Sequence, residues 1–215
     1  MDKIRDMLRY NFRVILYLSI LLLVFQNDNA LAKSTNKNDF LKLSKKAIKL
    51  TKEKKEEEAY LLRLKLENDF DVDKLKIVDG NGGKGDFYFN ICLGARMFNR
   101  TENRLKETIY FCNKSYKYYE KSNTFKIEGF DFVESFLDDA LSFHYAWNYQ
   151  FNGDKDDKKK AYKHASKLLK FKDSKIDQHL YIRGLKVFSI VNRAEGNQDE
   201  VIKYMRMIIK GLNCD

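Results

Sequence analysis

The absence of proline from all 215 residues constrains the fold of this chain more than any other feature of its sequence. Proline breaks helices because it lacks a backbone N–H and because its ring clashes with the preceding turn. A chain without proline can therefore continue helices through most of its length. The 13 tyrosines and 16 phenylalanines supply large apolar surfaces for a core, which argues against disorder. We therefore expect an all-α protein.

Apolar residues recur at helical spacing through residues 39–215, and the pattern predicts about eight helices in a single domain. The polar residues 33–38 are expected to be flexible. The charged stretch 51–58 is interpreted as a turn between two helices. Four glycines within 79–86 predict a mobile connection, since glycine-rich stretches resist regular structure.

Two residues mark helix boundaries in the second half of the chain. Thr101 is typical of an N-cap, which predicts a helix from Glu102 to about Tyr119. Gly153 follows a long aromatic helix that we predict over 130–151, at the position where glycine commonly ends helices.

The first 32 residues have the pattern of a secretory signal peptide. Four basic residues precede an apolar run, namely Lys3, Arg5, Arg9 and Arg13. The run from Val14 to Phe25 holds about 12 residues, fewer than the roughly 20 that a membrane-spanning helix needs. We predict cleavage after Ala32 and an exported mature chain, periplasmic or secreted, that starts at Lys33 and has no membrane span. An uncleaved N-terminal anchor is the alternative.

Three cysteines occur, at positions 92, 112 and 214. An exported protein meets an oxidising compartment, where disulfides form. Cys92 and Cys112 lie on the two predicted arms of one helical hairpin, so we predict that they pair and that Cys214 stays free. The chain has no CxxC spacing, and the sequence therefore indicates neither a zinc site nor a thioredoxin-like motif.

Small residues stand at comparable positions in the first helix of four predicted hairpins, at Ala47, Gly94, Ala146 and Ser189. A small side chain there lets a small residue of the facing helix approach, while larger residues fill the gap to the next hairpin. This pattern resembles that of tetratricopeptide-type helical repeats, at the irregular intervals of 47, 52 and 43 residues. The resemblance implies stacked antiparallel hairpins with a concave face that binds peptides or proteins. An irregular helical bundle is the alternative.

The chain carries a formal net charge of +10, of which the predicted mature part keeps about +9. Most lysine-rich stretches have acidic neighbours at helical spacing, which indicates a solvated helix surface. The excess positive charge also favours an anionic partner, such as lipid headgroups, an acidic polymer or an acidic protein. Nucleic acid is not expected as a partner of an exported protein.

Aromatic residues supply the candidate binding contacts. Tyr145, Trp147 and Tyr149 lie on the long predicted helix and are candidates for contact with a partner, with burial in the core as the alternative. Tyr116 and Lys117 belong to a run that interleaves tyrosines with lysines. Such a run can stack on sugars or hold anions, or its rings can pack inward beside the lysine stems.

The sequence predicts no catalytic residue, no metal site and no cofactor. Glu134 and Asp138 share a helix face, but His144 is not three or four residues from either, where metal ligands on a helix cluster. We interpret Glu134, Asp138 and Asp139 as the solvated edge of the aromatic helix. His164 stands alone in the sequence. The glycines near residue 80 match neither a phosphate-binding loop nor a calcium loop.

The leading functional hypothesis is an exported non-catalytic helical scaffold that binds another protein or peptide through a concave or groove-like face. The first alternative is a basic inhibitor, immunity-type protein or secreted effector that acts on an acidic partner. The second alternative is a hydrolase or metal enzyme.

Overall fold

The computed structural model describes residues 33–77, 83–99, 101, 103–127 and 129–212. The predictions made for the leader, for residues 79–82 and for Cys214 fall outside this part of the chain. The all-α prediction is confirmed. Within the described ranges the secondary structure is helical except for one isolated backbone bridge, between Ser34 and Phe70.

The described part of the chain forms eight α-helices, in agreement with the predicted number. They are α1 (Lys37–Lys52), α2 (Glu56–Asp69), α3 (Lys84–Phe98), α4 (Arg104–Lys121), α5 (Asp131–Asn152), α6 (Lys155–Leu168), α7 (Gln178–Ala194) and α8 (Gln198–Leu212). Short 3₁₀ turns follow α4 and α6, at Thr124–Lys126 and Leu169–Phe171. None of the helices among these residues is long and apolar enough to cross a membrane.

Consecutive helices pair into four hairpins, α1–α2, α3–α4, α5–α6 and α7–α8. The hairpins pack in chain order, with α2 against α3, α4 against α5, and α7 against both α5 and α6. One continuous core of buried residues runs through the first three hairpins and reaches Val187 and Val191 of α7. Each hairpin therefore buries its apolar face against its neighbours in the chain.

Two residues of the described N-terminal segment, Ser34 and Asn36, have hydrogen-bond partners in the helices. The Asn36 side chain caps α1 by accepting hydrogen bonds from the backbone N–H groups of Asn38 and Asp39. The Ser34 N–H donates to the carbonyl oxygen of Asp69, the last residue of α2, and the Asp71 N–H donates to the carbonyl oxygen of Ser34, both at 2.9 Å. Residues 37 and 38 of the segment predicted to be flexible thus belong to α1.

Two predicted boundaries also differ from the structure. Helix α4 begins at Arg104 rather than at Glu102, because Thr101 donates its N–H and its hydroxyl to the side chain of Asn99 (2.8 and 2.7 Å) instead of capping the helix. Helix α3 begins at Lys84, inside the stretch predicted as a mobile connection.

The turn after α5 is as predicted. Gly153 has φ +71°, a left-handed conformation that glycine adopts without a steric penalty, and its N–H donates to Tyr149 O at 2.8 Å. Asp154 then caps α6 by accepting from the N–H of Asp156 at 2.8 Å.

Gly94 makes a close contact between hairpins. A Cβ at this position would lie 2.3 Å from Cδ2 of Tyr60, a buried residue of α2. Gly94 therefore makes room for a large ring of the preceding hairpin.

Cys92 of α3 and Cys112 of α4 form a disulfide, with Cα atoms 4.9 Å apart and both side chains buried. This is the pair expected from their places on the two arms of one hairpin. The bond joins residues 20 positions apart and fixes how α3 packs on α4.

Candidate functional site

Helix α5 carries a row of side chains at intervals of three or four residues along one face, which we call the α5 face. Its members are Phe132, Phe136, Asp139, Phe143, Trp147 and Phe151. The centroids of successive rings lie 6.0 Å apart for Phe143 and Trp147, and 5.9 Å apart for Trp147 and Phe151. The row spans about 28 Å at 1.5 Å per residue. Its two ends are exposed, Phe132 to 68% and Phe151 to 75%.

A groove of about 470 Å³ lies between the α5 face, the second half of α3 and the start of α7. Its walls combine apolar and cationic side chains, namely Leu93, Arg96, Met97, Arg104, Phe132, Phe136, Asp139, His179, Leu180 and Arg183. Met97 and Phe132 are large apolar side chains that remain exposed at this groove. The first helices of three consecutive hairpins thus contribute to one recess.

Asp139 joins these three helices. The residue is only 4% exposed. Its Oδ2 lies 3.0 Å from Nη1 of Arg96 on α3, and its Oδ1 accepts a hydrogen bond from Nε of Arg183 on α7. The guanidinium groups also lie over aromatic rings, Arg96 at 5.3 Å from the centroid of Phe136 and Arg183 at 5.6 Å from that of Phe143. These contacts hold both arginines in fixed positions.

The two guanidinium groups keep hydrogen-bond donors that no other described residue uses. Asp139 engages Nη1 of Arg96 and Nε of Arg183, which leaves Nε and Nη2 of Arg96 and both Nη atoms of Arg183. Arg104 adds a third positive charge and donates to the backbone carbonyl of Arg96. Guanidinium groups bind carboxylates through parallel hydrogen bonds, so the groove is suited to an anionic group.

His144 lies buried behind this cluster, and its Nδ1–H donates to the carbonyl oxygen of Ala140 at 2.7 Å. Burial lowers the pKa of His144 to about 4, and the nearby charges of Arg96 and Arg104 act in the same direction. The imidazole is therefore neutral at pH 7, and His144 adds no charge to the groove.

A second polar cluster lies on the other side of α5. His164 Nδ1 of α6 is 2.6 Å from Oδ1 of Asp138, and Lys167 Nζ is 3.6 Å from Asp138 Oδ2 and 3.1 Å from Glu134 Oε1. Asp138 is as buried as Asp139. The interpretation of Asp138 and Asp139 as part of a solvated edge is therefore wrong, because both are buried and pair with cationic side chains of other helices. Glu134 is half-buried.

This second cluster fixes helices to one another. The His164 ring contacts the rings of Tyr116 and Tyr145, with centroids 5.5 and 6.2 Å away. Lys167 also donates to the Tyr116 hydroxyl, which ties α6 to α4. Among the described residues, no serine or cysteine hydrogen-bonds to His164, and no group of three or more His, Cys, Asp or Glu side chains is arranged to hold a metal ion.

The three candidate aromatics of the long helix point in different directions. Trp147 belongs to the α5 face and is half-buried. Tyr145 is in the core, where its hydroxyl accepts a hydrogen bond from Asn113 Nδ2 at 2.5 Å. The Tyr149 hydroxyl donates to Glu195 Oε1 at 3.3 Å.

The other two candidates lie on α4, away from the α5 face. Tyr116 is half-buried and hydrogen-bonded to Glu134 at 3.3 Å, while Lys117 is exposed. Of the five candidate binding residues, the structure places only Trp147 on the surface described above.

Sequence reasoning missed most of the site. The spacing of Phe132, Phe136, Phe143 and Phe151 is a signal that could have grouped these rings with Trp147. Arg96 and Arg183 gave no such signal, because each is more than 40 residues from Asp139 and meets it only in the folded chain.

Comparison of the chain with protein-family models, with curated proteins and with solved structures finds no match.

Proposed function

We propose that this chain is an exported, non-catalytic helical scaffold that binds a segment of another protein along the α5 face. The supporting observation is the combination of exposed apolar side chains with held arginines on one surface of three hairpins. Phe132, Met97 and Phe151 remain exposed, and a group of large exposed apolar side chains on one surface is typical of a binding site. The resemblance to tetratricopeptide repeats supports the same class of function, because stacked hairpins of that kind bind peptides.

The chemistry of the groove favours an acidic segment with apolar side chains. Three arginines and a single carboxylate, that of Asp139, line the groove, so the recess is positive. A carboxylate can occupy the remaining donors of Arg96 and Arg183, while an apolar side chain packs between Met97 and Phe132. A face about 28 Å long accommodates an extended segment of about eight residues.

Two observations support export. The first 32 residues carry the signal-peptide pattern, and the disulfide between Cys92 and Cys112 is typical of oxidising compartments. N-terminal sequencing of the protein recovered outside the cytosol should begin at Lys33. Recovery in the cytosol with residues 1–32 intact would contradict this part of the proposal.

The binding proposal is tested by selecting ligands from a library of random ten-residue peptides. We expect selected peptides to be enriched in Asp and Glu together with Leu or aromatic residues, and to bind with micromolar dissociation constants, on the order of −8 kcal/mol or weaker. The F132S/F151S double variant should bind them at least tenfold more weakly, because it removes exposed rings without disturbing the core.

The matched control is Leu61→Ser, which removes an equally exposed apolar side chain from α2. The proposal fails if selected peptides are not acidic, or if Leu61→Ser weakens binding as much as the double variant does. Raising the salt concentration from 50 to 500 mM should also weaken binding several-fold, since exposed charges are screened.

A further inference from the structure

Arg63 of α2 is the one buried lysine or arginine in the described part of the chain, with 7% of its surface exposed. Its Nη2 donates to Thr51 Oγ1 at 3.1 Å, and this is the one hydrogen bond of the guanidinium to a described residue. Thr51 in turn donates to the carbonyl oxygen of Ala47 at 3.2 Å. A guanidinium has five N–H donors, so most of them remain for a further partner.

The positive charge of Arg63 is also unpaired, because no carboxylate among the described residues forms an ion pair with it. Burial lowers the pKa of Arg63, and no described acidic residue acts in the opposite direction. An arginine does not lose its proton in a protein, so the charge stays buried. The buried acids Asp138 and Asp139, by contrast, both have cationic partners. An uncompensated buried charge destabilises a fold strongly, which favours a bound counter-ion at Arg63.

A second donor without a partner lies beside Arg63. The hydroxyl oxygen of Ser44 on α1 is buried, and it has no hydrogen-bond partner among the described residues. Ser44 and Arg63 line the same recess of about 60 Å³, between α1, α2 and the start of α3. Asn90 of α3 also lines this recess, and its Nδ2 donates one N–H to the carbonyl oxygen of Asp86 at 2.7 Å and keeps the other. Buried polar side chains nearly always have partners, so these donors point to a ligand that accepts from them.

The recess beside Arg63 is open to solvent and large enough for a small group. A second recess of about 150 Å³ reaches Arg63 from the side of Met97. Ile48 at the first recess and Met97 at the second are about half exposed, so a ligand can enter from solvent. One water molecule needs about 10–15 Å³ of such volume, so a group of a few atoms fits beside the guanidinium.

The walls of the two recesses also contain one acidic side chain each. Asp86 lines the smaller recess, where it accepts a hydrogen bond from the Tyr119 hydroxyl of α4 and is not paired with Arg63. Glu56 lines the larger recess and is exposed, so solvent screens its charge. Neither carboxylate therefore neutralises the buried guanidinium directly.

We propose that the recess beside Arg63 binds the carboxylate group of a ligand. The two oxygens of a carboxylate match the parallel N–H groups of a guanidinium. Its remaining lone pairs can accept from the Ser44 hydroxyl and from Asn90 Nδ2. The bound carboxylate then neutralises the charge of Arg63 inside the fold. This site belongs to the first hairpin and the start of α3, so it does not depend on the function proposed for the α5 face.

Titration of the ¹⁵N-labelled mature chain with sodium acetate, followed through the Nε–H resonance of Arg63, tests the proposal. The spectrum of Arg63→Met identifies this resonance by its loss. We expect a saturable shift with a dissociation constant in the millimolar range, since a ligand of so few atoms binds weakly. Sodium chloride over the same range should leave the resonance unchanged. The absence of a saturable shift up to about 200 mM acetate, or an equal shift with chloride, overturns the proposal.

Ser44→Ala removes one of the proposed donors without breaking a hydrogen bond to any described residue. It should weaken acetate binding about three- to tenfold, the effect of one lost hydrogen bond. Thr108→Val is the matched control, because Thr108 Oγ1 of α4 is the other buried hydroxyl without a described partner and lines neither recess. The control should keep the dissociation constant of the parent. Unchanged binding in Ser44→Ala, or an equal loss in Thr108→Val, contradicts the site.

Two further measurements separate the sources of the carboxylate and check its effect on the fold. Acetate stands for a small free acid, and N-acetylglutamate N-methylamide stands for an acidic side chain of a peptide; the one that binds more tightly identifies the source. Acetate should also raise the melting temperature of the parent but not that of Arg63→Met, since a ligand of the folded state stabilises it. An equal rise in both chains would place the bound acetate elsewhere and overturn the proposal.

Discussion

At the scale of single residues, Asp139 is the residue on which the site depends most. It is buried and pairs with arginines of two other helices. Asp139→Asn should lower the free energy of unfolding by about 2–4 kcal/mol, because removing one partner leaves buried charge uncompensated. Urea unfolding measures this loss. Asp131→Asn, at an exposed position in the first turn of α5, is the control and should change stability by less than about 0.5 kcal/mol. Equal effects of the two variants would show that Asp139 does not join the three helices.

His144 makes stability depend on pH in a stated direction. Its pKa of about 4 in the folded chain lies below the ordinary value of 6.5, so the unfolded chain binds a proton first as the pH falls. Neutral His144 therefore makes its full contribution to the free energy of unfolding above pH 6.5. That contribution is lost between about pH 6.5 and pH 4, by about 3 kcal/mol in total. Chemical unfolding at pH 7 and pH 4 should therefore show a smaller loss in His144→Met than in the parent.

His179→Gln is the matched control for His144, because His179 is exposed. It should keep the pH dependence of the parent. If His144→Met and the parent lose the same stability between pH 7 and pH 4, the account of a neutral buried imidazole is wrong.

Among the glycines with a described environment, Gly94 is the one at which an added methyl group should lower the free energy of unfolding most. Gly94→Ala should destabilise the fold by about 1–3 kcal/mol, because the new Cβ would overlap the ring of Tyr60. Gly211→Ala is the control, since its Cβ would lie 3.6 Å from Ile182, an ordinary contact distance, and alanine favours helix. In thermal unfolding, Gly94→Ala should have a lower melting temperature than the parent, and Gly211→Ala an equal or higher one. A drop of equal size in both would contradict the close packing of α2 on α3.

The role of a single residue could be predicted from the sequence when its contacts are local in the chain. Gly153 is such a residue, because the end of a helix depends on the few residues around it. The burial of Asp138 and Asp139 does not, because the partners that make it possible come from distant helices. Tyr145 and Trp147 look alike in the sequence, and only the packing of α6 against α5 separates the buried ring from the partly exposed one.

At the scale of elements, the disulfide between α3 and α4 should be the main covalent support of the second hairpin. Replacing both Cys92 and Cys112 by alanine should cost about 3 kcal/mol, the amount expected for closing a loop of this length in the unfolded chain. A reducing agent should lower the melting temperature of the parent by a similar margin and leave the double variant unaffected. Equal sensitivity of both to reduction would mean that this disulfide does not support the hairpin.

The existence of the helices was easier to predict than their ends. Hydrophobic spacing and the lack of proline located the helices, since both act within one segment. The start of α4 was missed because the side chain of Asn99, outside the helix, engages Thr101 and removes it from the cap position. The backbone pairing of Ser34 was not predicted because its partners, Asp69 and Asp71, belong to the end of α2 and the chain just after it.

At the scale of the whole molecule, four hairpins packed in chain order bring the first helices α3, α5 and α7 to one groove. The sequence predicted hairpins and a groove-like face, but it did not predict which helices form that face. That depends on how α7 packs against α5 as well as α6, a contact between hairpins that helical spacing does not encode.

The most direct test of the account uses Trp147, the only tryptophan of the chain, which lies on the α5 face between Phe143 and Phe151. A selected acidic peptide without tryptophan is titrated into the mature chain while the emission of Trp147 is recorded. We predict a saturable blue shift, because a bound segment excludes water from the ring, with the same dissociation constant that the fluorescence anisotropy of the labelled peptide gives. Emission that stays unchanged while the anisotropy shows full occupancy would place the ligand elsewhere and contradict the α5 face as the binding surface.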